Sequence, residues 1–396
     1  MKTQFRFHLL GLTHLPQARR YSSCAYTQKN LKLARMLIEL GHQVFFYGSE
    51  GSEAFEYCRN SDRLVFIQTH TLADIRRDYG DGDNRFELGY DWRLGFRHDL
   101  ESGDKPSTQK FRQACIEIIK AISQPDDFLL LTMGLWHQPI ADEVGLVLRC
   151  EPGIGYTGSS AKNFRAFECD WLRYFAYGSE HPYRCHGASP LDRVIPNYFD
   201  PDDFRFQAEK EPFHLFLGRV IRNKGIEIAA RTCSQLGIPL KIAGQHGQVQ
   251  PDGSLLGLGV QVPPGSWEYL GPVGPDERRE LLARAQALWC PTLYIEPFGG
   301  VHIEALLSGT PVITTDWGIF PVTVPDHLVG RIGFRCNTGR DYVRAAQEVA
   351  HCDPVLARRW AEQFLMDRVA LKFQTWFEDL YRAVILQESV PSGFGD

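Results

Sequence analysis

No two of the ten cysteines stand in a C-x-x-C pair, which removes the usual signature of a zinc site or a dithiol redox centre. Scattered thiols of this kind fit a reducing, cytoplasmic setting. The chain also lacks a basic excess. With 43 Lys+Arg against 48 Asp+Glu its formal charge is −5, so nucleic acid, which needs a basic face, is not an expected partner. Long apolar runs are missing too. The longest, near Phe128–Trp136, falls far short of the ~20 residues that cross a bilayer, and the first eight residues hold no continuous apolar segment. Membrane contact is therefore expected to be peripheral at most. What remains is an ordinary globular composition, 43% hydrophobic and 23% charged, over 396 residues, enough for two or three domains.

Strand-like and helix-like segments alternate, the pattern of doubly wound parallel sheets. Phe5–Leu10, Val44–Tyr47, Leu64–Gln68, Phe128–Thr132 and Leu146–Cys150 read as strands of a first domain, with an amphipathic helix over Thr27–Leu40. Leu215–Leu217, Leu240–Ala243, Glu268–Leu270, Ala287–Cys290 and Val312–Thr314 repeat the logic in a second. Residues 70–108 are polar and rich in Gly and Asp, and predict a long surface excursion. Near the end, Phe373, Trp376, Phe377, Leu380 and Val384 share one helical face.

The densest chemistry lies at Glu296-Pro-Phe-Gly-Gly-Val-His-Ile-Glu304. Two carboxylates eight positions apart flank Gly299-Gly300, whose freedom lets backbone approach a ligand just where a helix opens. The first-turn N–H groups and positive dipole end of that helix suit a diphosphate. Glu304, one turn in and on the face of Gly300 and Val301, is placed to accept from a ribose, and Glu296 to hold sugar hydroxyls.

This segment resembles the E-x7-E motif of retaining GT-B glycosyltransferases, glycosyltransferase family 4 in particular. Supporting it upstream is the apolar strand Phe213–Leu217 ending in Gly218-Arg219, followed by Lys224-Gly225. In that family the arginine and lysine of G-R-x-x-x-x-K-G bind the donor diphosphate, and Arg219 and Lys224 match them. Tyr269-Leu-Gly-Pro272-Val and Ala287–Thr292 are similar to the family's segments near the nucleotide base. Ile195-Pro-Asn-Tyr-Phe-Asp-Pro201 is similar to its interdomain segment, with Tyr198 in place of the usual glycine.

The resemblance implies an α/β, GT-B architecture: two Rossmann-like doubly wound domains facing across a cleft. Residues 1–198 would bind the acceptor, residues 199–372 the donor, and a helix over 373–390 would cross back onto the first domain. It implies a metal-independent hexosyltransferase needing no cofactor. The donor would be a UDP- or GDP-linked sugar and the acceptor a hydroxyl on a glycan, a lipid-linked group or a small molecule. Arg219 and Lys224 would neutralise the leaving diphosphate. In the first domain, Glu151 stands where relatives carry a histidine after the strand, His137 is a second candidate for the sugar or acceptor, and Gly11 is expected to approach the diphosphate.

Rival readings use other features. A GT-B sugar-nucleotide epimerase and a non-catalytic nucleotide-sugar binder share the same motifs. Gly153-x-Gly155-x-x-Gly158 formally matches a dinucleotide fingerprint and would make the chain an NAD-dependent oxidoreductase. Asp81-Gly-Asp83 mimics a metal-binding D-x-D but reads better as a turn, and Cys185-His186 has no second half to make a metal site.

Overall fold

A computed structural model describes residues 4–21, 24–79, 105–180 and 189–388. Two compact units emerge. The first runs to Asn197 and takes in the chain again from Met366; the second is built on Tyr198–Leu365.

The first unit is organised by a seven-stranded, wholly parallel sheet. Its strands are β1 (Arg6–Leu10), β2 (Gln43–Ser49), β3 (Leu64–His70), β4 (Phe128–Leu131), β5 (Leu148–Ile154), β6 (Phe164–Phe167) and β7 (Arg193–Val194), in the order β3-β2-β1-β4-β5-β6-β7. Near-continuous apolar stretches form the central strands because helices cover both faces; all four residues of β4 are buried. The terminal helix, Met366–Val384, lies in this unit. It sets Phe377 4.8 Å from Phe7 and 5.2 Å from Phe128, ring centre to ring centre. Trp376 Nε1 donates to the Leu191 carbonyl at 2.9 Å.

The expected excursion over 70–108 is partly helix. Leu72–Tyr79 is helical, opened by a reciprocal cap in which Thr71 N donates to Asp74 Oδ2 at 2.8 Å and Asp74 N to Thr71 Oγ1 at 3.2 Å. A second helix, Pro106–Ile122, begins with proline at its first position, where the missing N–H costs nothing. Asp81, Asp83, Cys185 and His186 lie outside the described residues.

The second unit repeats the plan with a six-stranded parallel sheet ordered β13-β9-β8-β14-β15-β16. These are β8 (Glu211–Leu217), β9 (Leu240–Ala243), β13 (Trp267–Gly271), β14 (Ala285–Cys290), β15 (Val312–Thr315) and β16 (Gly333–Cys336). Between β9 and β13 a small antiparallel meander is inserted, made of β10 (Gln248–Val249), β11 (Leu255–Gly257) and β12 (Val260–Val262). Trp289 is buried in the core of this unit, stacked on Tyr342, with its Nε1–H donated to His214 Nδ1 at 3.0 Å. Among the described residues no helix is long and apolar enough to cross a membrane.

Candidate functional site

In an open parallel sheet, adjacent strands whose connections leave in opposite directions open a crevice at their carboxyl ends. In the second unit that point lies between β8 and β14, which pair from Ala285↔Glu211 to Trp289↔Phe216. The two loops leaving there are 218–225 and 291–299. The basic motif and the first glutamate, far apart in sequence, are thus the two walls of one switch point.

Backbone bonds tie the first wall to the end of β9 and to the second wall. Gly218 N donates to Ala243 O at 2.9 Å and Leu293 N to Asn223 O at 2.8 Å. The loop after β8 closes with a short 3-10 turn, Arg222–Lys224, ended by Gly225 in the left-handed region at φ 72°. A β-carbon on Gly225 would lie 1.9 Å from the Pro291 carbonyl oxygen, so only glycine lets the loops meet.

Residues 292–296 form an irregular loop that bends at Leu293 and Tyr294. Leu293 and Ile295 are exposed, while Tyr294 and Glu296 turn inward. Lys224 Nζ lies 3.0 Å from Glu296 Oε2, and the Tyr294 hydroxyl bonds to the same carboxylate oxygen and to the same ammonium. Burial first, and the Glu296 charge second, push the Tyr294 pKa far up, so its hydroxyl stays a neutral donor. Arg219, half-buried, is close enough to Tyr294 to act on its ionisation. Its guanidinium has no hydrogen-bond or ion-pair partner among the described residues.

Gly299 takes a left-handed conformation, φ 71°, and caps the helix Gly300–Leu307. Gly300 and Val301 form its first turn, both half-buried. Glu304 sits one turn in, next to Gly300, and is paired with Arg278 from the helix Pro275–Arg284. Pro272 lies in the loop that joins β13 to that helix. His302, wholly buried, donates from Nδ1 to the Gly299 carbonyl and accepts from the Thr323 hydroxyl at Nε2, 2.9 Å away. Burial lowers its pKa to about 4, which keeps it neutral and the turn before the helix pinned.

The first unit's candidates have other parts. Its switch point lies between β1 and β4, and Gly11 and His137 both belong there. His137 is buried; Nε2 donates to the Gly11 carbonyl at 3.0 Å and Nδ1 accepts from Met133 N at 3.4 Å. With both ring nitrogens held by backbone and its pKa lowered to about 3 by burial, His137 fastens two loops. Gly11 is required by packing, since a β-carbon there would lie 2.2 Å from the Tyr47 carbonyl oxygen and from the Gln17 amide.

Glu151 is not at a strand end. β5 runs on to Ile154 through an irregularity that takes up Pro152 and Gly153, and Glu151 pairs with Arg165 of β6 inside the sheet. Its carboxyl is wholly buried and accepts from Asn163 Nδ2 at 2.7 Å, Ser160 N at 2.8 Å and the Tyr156 hydroxyl at 3.3 Å. Burial raises its pKa to about 7. After Gly158 the chain leads to β6 with no intervening helix, so the strand–turn–helix frame of a dinucleotide fingerprint is absent among the described residues.

Tyr294, Arg278 and His302 are site residues that the sequence reading passed over. Tyr294 stands two residues before Glu296 in an irregular loop, where sequence spacing does not fix which way a side chain turns. Arg278 has no local signal tying it to Glu304.

Residues 200–363 match the family described as Glycosyl transferases group 1. D-inositol 3-phosphate glycosyltransferases of Mycobacterium tuberculosis and Mycobacterium bovis are 30% identical over 168 residues, covering 37% of this chain and 34% of theirs. The chain thus matches about a third of the length of these curated relatives. AviGT4, a glycosyltransferase of avilamycin A biosynthesis, superposes with a TM-score of 0.62 at 19% identity, covering 96% of this chain and 98% of its own. HepE of Anabaena, solved in complex with UDP and glucose, superposes at 0.59 and 12% identity, covering 95% and 99%. The fold is that of GT-B glycosyltransferases.

Proposed function

We propose that this protein transfers a hexose-type sugar from a nucleoside-diphosphate sugar to a hydroxyl acceptor, with retention of configuration and without a metal ion. The observation that carries this reading is the convergence at the switch point of the second sheet of Lys224, Glu296 and Arg219, whose guanidinium has no hydrogen-bond or ion-pair partner among the described residues. Fixed cations beside a helix N-terminus form a site for a leaving diphosphate.

Arg219 offers a planar fork to the phosphates and Lys224 a compact charge. Glu296 holds sugar hydroxyls, and Glu304 accepts from the ribose. As the bond from the anomeric carbon to the β-phosphate oxygen breaks, its electron pair stays on the diphosphate, where these cations stabilise it. The acceptor oxygen bonds to the anomeric carbon on the same face, and its proton passes to the departing phosphate oxygen. The acceptor is assigned to the first unit. A uridine nucleotide is favoured by the UDP complex of the HepE neighbour.

Thermal-shift titration with UDP, GDP, ADP and their sugars tests the reading, with Arg219→Ala/Glu304→Ala beside the wild type. Stabilisation by one nucleotide family that disappears in the double variant supports it. Stabilisation by NAD alone sinks it. Incubating the sugar nucleotide without acceptor, and following its sugar by NMR, separates an epimerase from a transferase.

A further inference from the structure

The two carboxylate oxygens of Glu304 stand in different places. Oε2 is paired with Arg278 Nη2. Oε1 lies toward the start of the helix Gly300–Leu307, since a β-carbon on Gly300 would be 3.6 Å from it. Among the described residues, the Arg278 guanidinium is the one hydrogen-bond or ion-pair partner of this carboxylate. The reverse holds as well: Arg278 makes no other hydrogen bond or ion pair among the described residues.

Packing explains how the two meet. The helices Pro275–Arg284 and Gly300–Leu307 lie beside each other, and both touch β14. Arg278 stands four residues past the Gly274 cap, so the loop that follows β13 sets where its side chain starts. The arginine side chain is 31% exposed and the glutamate side chain 10%. An ion pair this open on one side contributes little to stability. Its use lies in geometry.

A glutamate stem has three rotatable bonds, and a carboxylate that must first be ordered binds a hydroxyl less well. A guanidinium on one oxygen removes that cost before the ligand arrives. It also fixes the plane of the carboxylate, because its own donors lie in a planar fork. We propose that Arg278 is a positioning residue for ribose recognition: it holds Oε2 of Glu304 so that Oε1 is presented to a ribose hydroxyl. This rests on the transferase reading above. The role acts through Glu304 alone, so it shows as a preference for ribonucleotides over the deoxy forms that lack the hydroxyl.

Calorimetric titration of UDP, 2′-deoxy-UDP and 3′-deoxy-UDP, with the three guanine counterparts in parallel, decides it. Wild type, Arg278→Ala, Glu304→Ala and the double variant are compared. Wild type is expected to bind the ribonucleotide of one base at least about tenfold more tightly than one of its deoxy forms. Arg278→Ala should cut that preference about three- to tenfold while changing affinity for the same deoxy form less than about twofold. In the Glu304→Ala background, Arg278→Ala should have no further effect on the preference. A preference that survives Arg278→Ala, or a loss shared equally by ribo and deoxy forms, overturns the role of Arg278 and leaves the donor site standing. A wild type that binds UDP or GDP with no ribose preference overturns it too, along with the ribose contact of Glu304. Failure of the wild type to bind either nucleotide removes the transferase reading itself. Arg278→Met, which keeps the aliphatic stem, should match Arg278→Ala, and unchanged melting of both shows that the fold is intact.

Discussion

Lys224 and Glu296 are 72 residues apart in the chain, yet the ammonium and carboxylate stand 3.0 Å from each other. The pair exists because β8 and β14 are neighbours in the sheet although five strands separate them in sequence. If the cation serves the diphosphate, Lys224→Met should weaken UDP binding tenfold to a hundredfold, the loss of a charge-assisted bond of about 1.5–3 kcal/mol. Isothermal titration at fixed ionic strength reads this directly, and an unchanged Kd would remove Lys224 from the donor site.

Gly225 should tolerate no side chain. Gly225→Ala has to accommodate both a left-handed backbone and a β-carbon set against the Pro291 carbonyl, so the two loops must part. A loss of about 1–3 kcal/mol in chemical denaturation is expected, with nucleotide binding weakened as well. Gly237, also left-handed but with open space around its β-carbon position, is the control: Gly237→Ala should leave nucleotide binding intact.

Glu151 gives a pH test with a definite sign. Its folded-state pKa, about 7, lies above the ordinary 4.5, so its contribution is fully present below pH 4.5 and is lost as pH rises through 7. Glu151→Gln, which mimics the protonated group, should raise the melting temperature more at pH 8 than at pH 5. Equal shifts at both would mean that the carboxyl ionises normally in the fold. If the variant also keeps full transfer activity, Glu151 has no part in the chemistry.

Buried histidines act at the other end of the pH scale. His302 has a folded pKa of about 4 against an ordinary 6.5, so its contribution is complete above 6.5 and is lost as pH falls through 4. His302→Gln should flatten the acid limb of the stability curve by about 1.4 kcal/mol per pH unit, one proton's worth. Denaturant titrations between pH 4 and pH 6.5 measure this slope. An unaltered slope would mean that His302 is charged in the folded protein.

Trp376→Ala should destabilise the first unit by about 3–5 kcal/mol, the usual cost of emptying a fully buried aromatic site. The second unit has its own core around Trp289 and should be spared. Scanning calorimetry should then show the first unit's transition moving down while the other holds. A uniform shift would mean that both units unfold together.

Much of this was legible because parallel sheets write themselves plainly. The buried strands are apolar runs, and Leu240–Ala243 appears with the expected limits. The loops 218–225 and 291–299 stood out for another reason: glycines and charges crowd into short segments at strand ends. The failures are local. Thr71-x-x-Asp74 is a capping signal and Pro106 a helix-start signal, but polar composition drowned both. Pro152-Gly153 looked like the end of a strand, yet an irregularity can carry both residues within one. That misplaced Glu151, whose burial follows from partners nine and twelve residues further on. Arg278 was invisible because its pairing with Glu304 depends on how two helices pack, which no spacing encodes.

The return of Met366–Val384 to the first unit has a consequence for how the protein is made. A ribosome releases the chain from its beginning, so the sheet β1–β7 emerges long before the helix that covers Phe7 and Phe128. The second unit, built on Tyr198–Leu365, is translated before that helix and can finish folding first. Until Phe377 and its neighbours are translated, the older half of the molecule waits with its apolar face uncovered, and this is the interval in which a chaperone would find it.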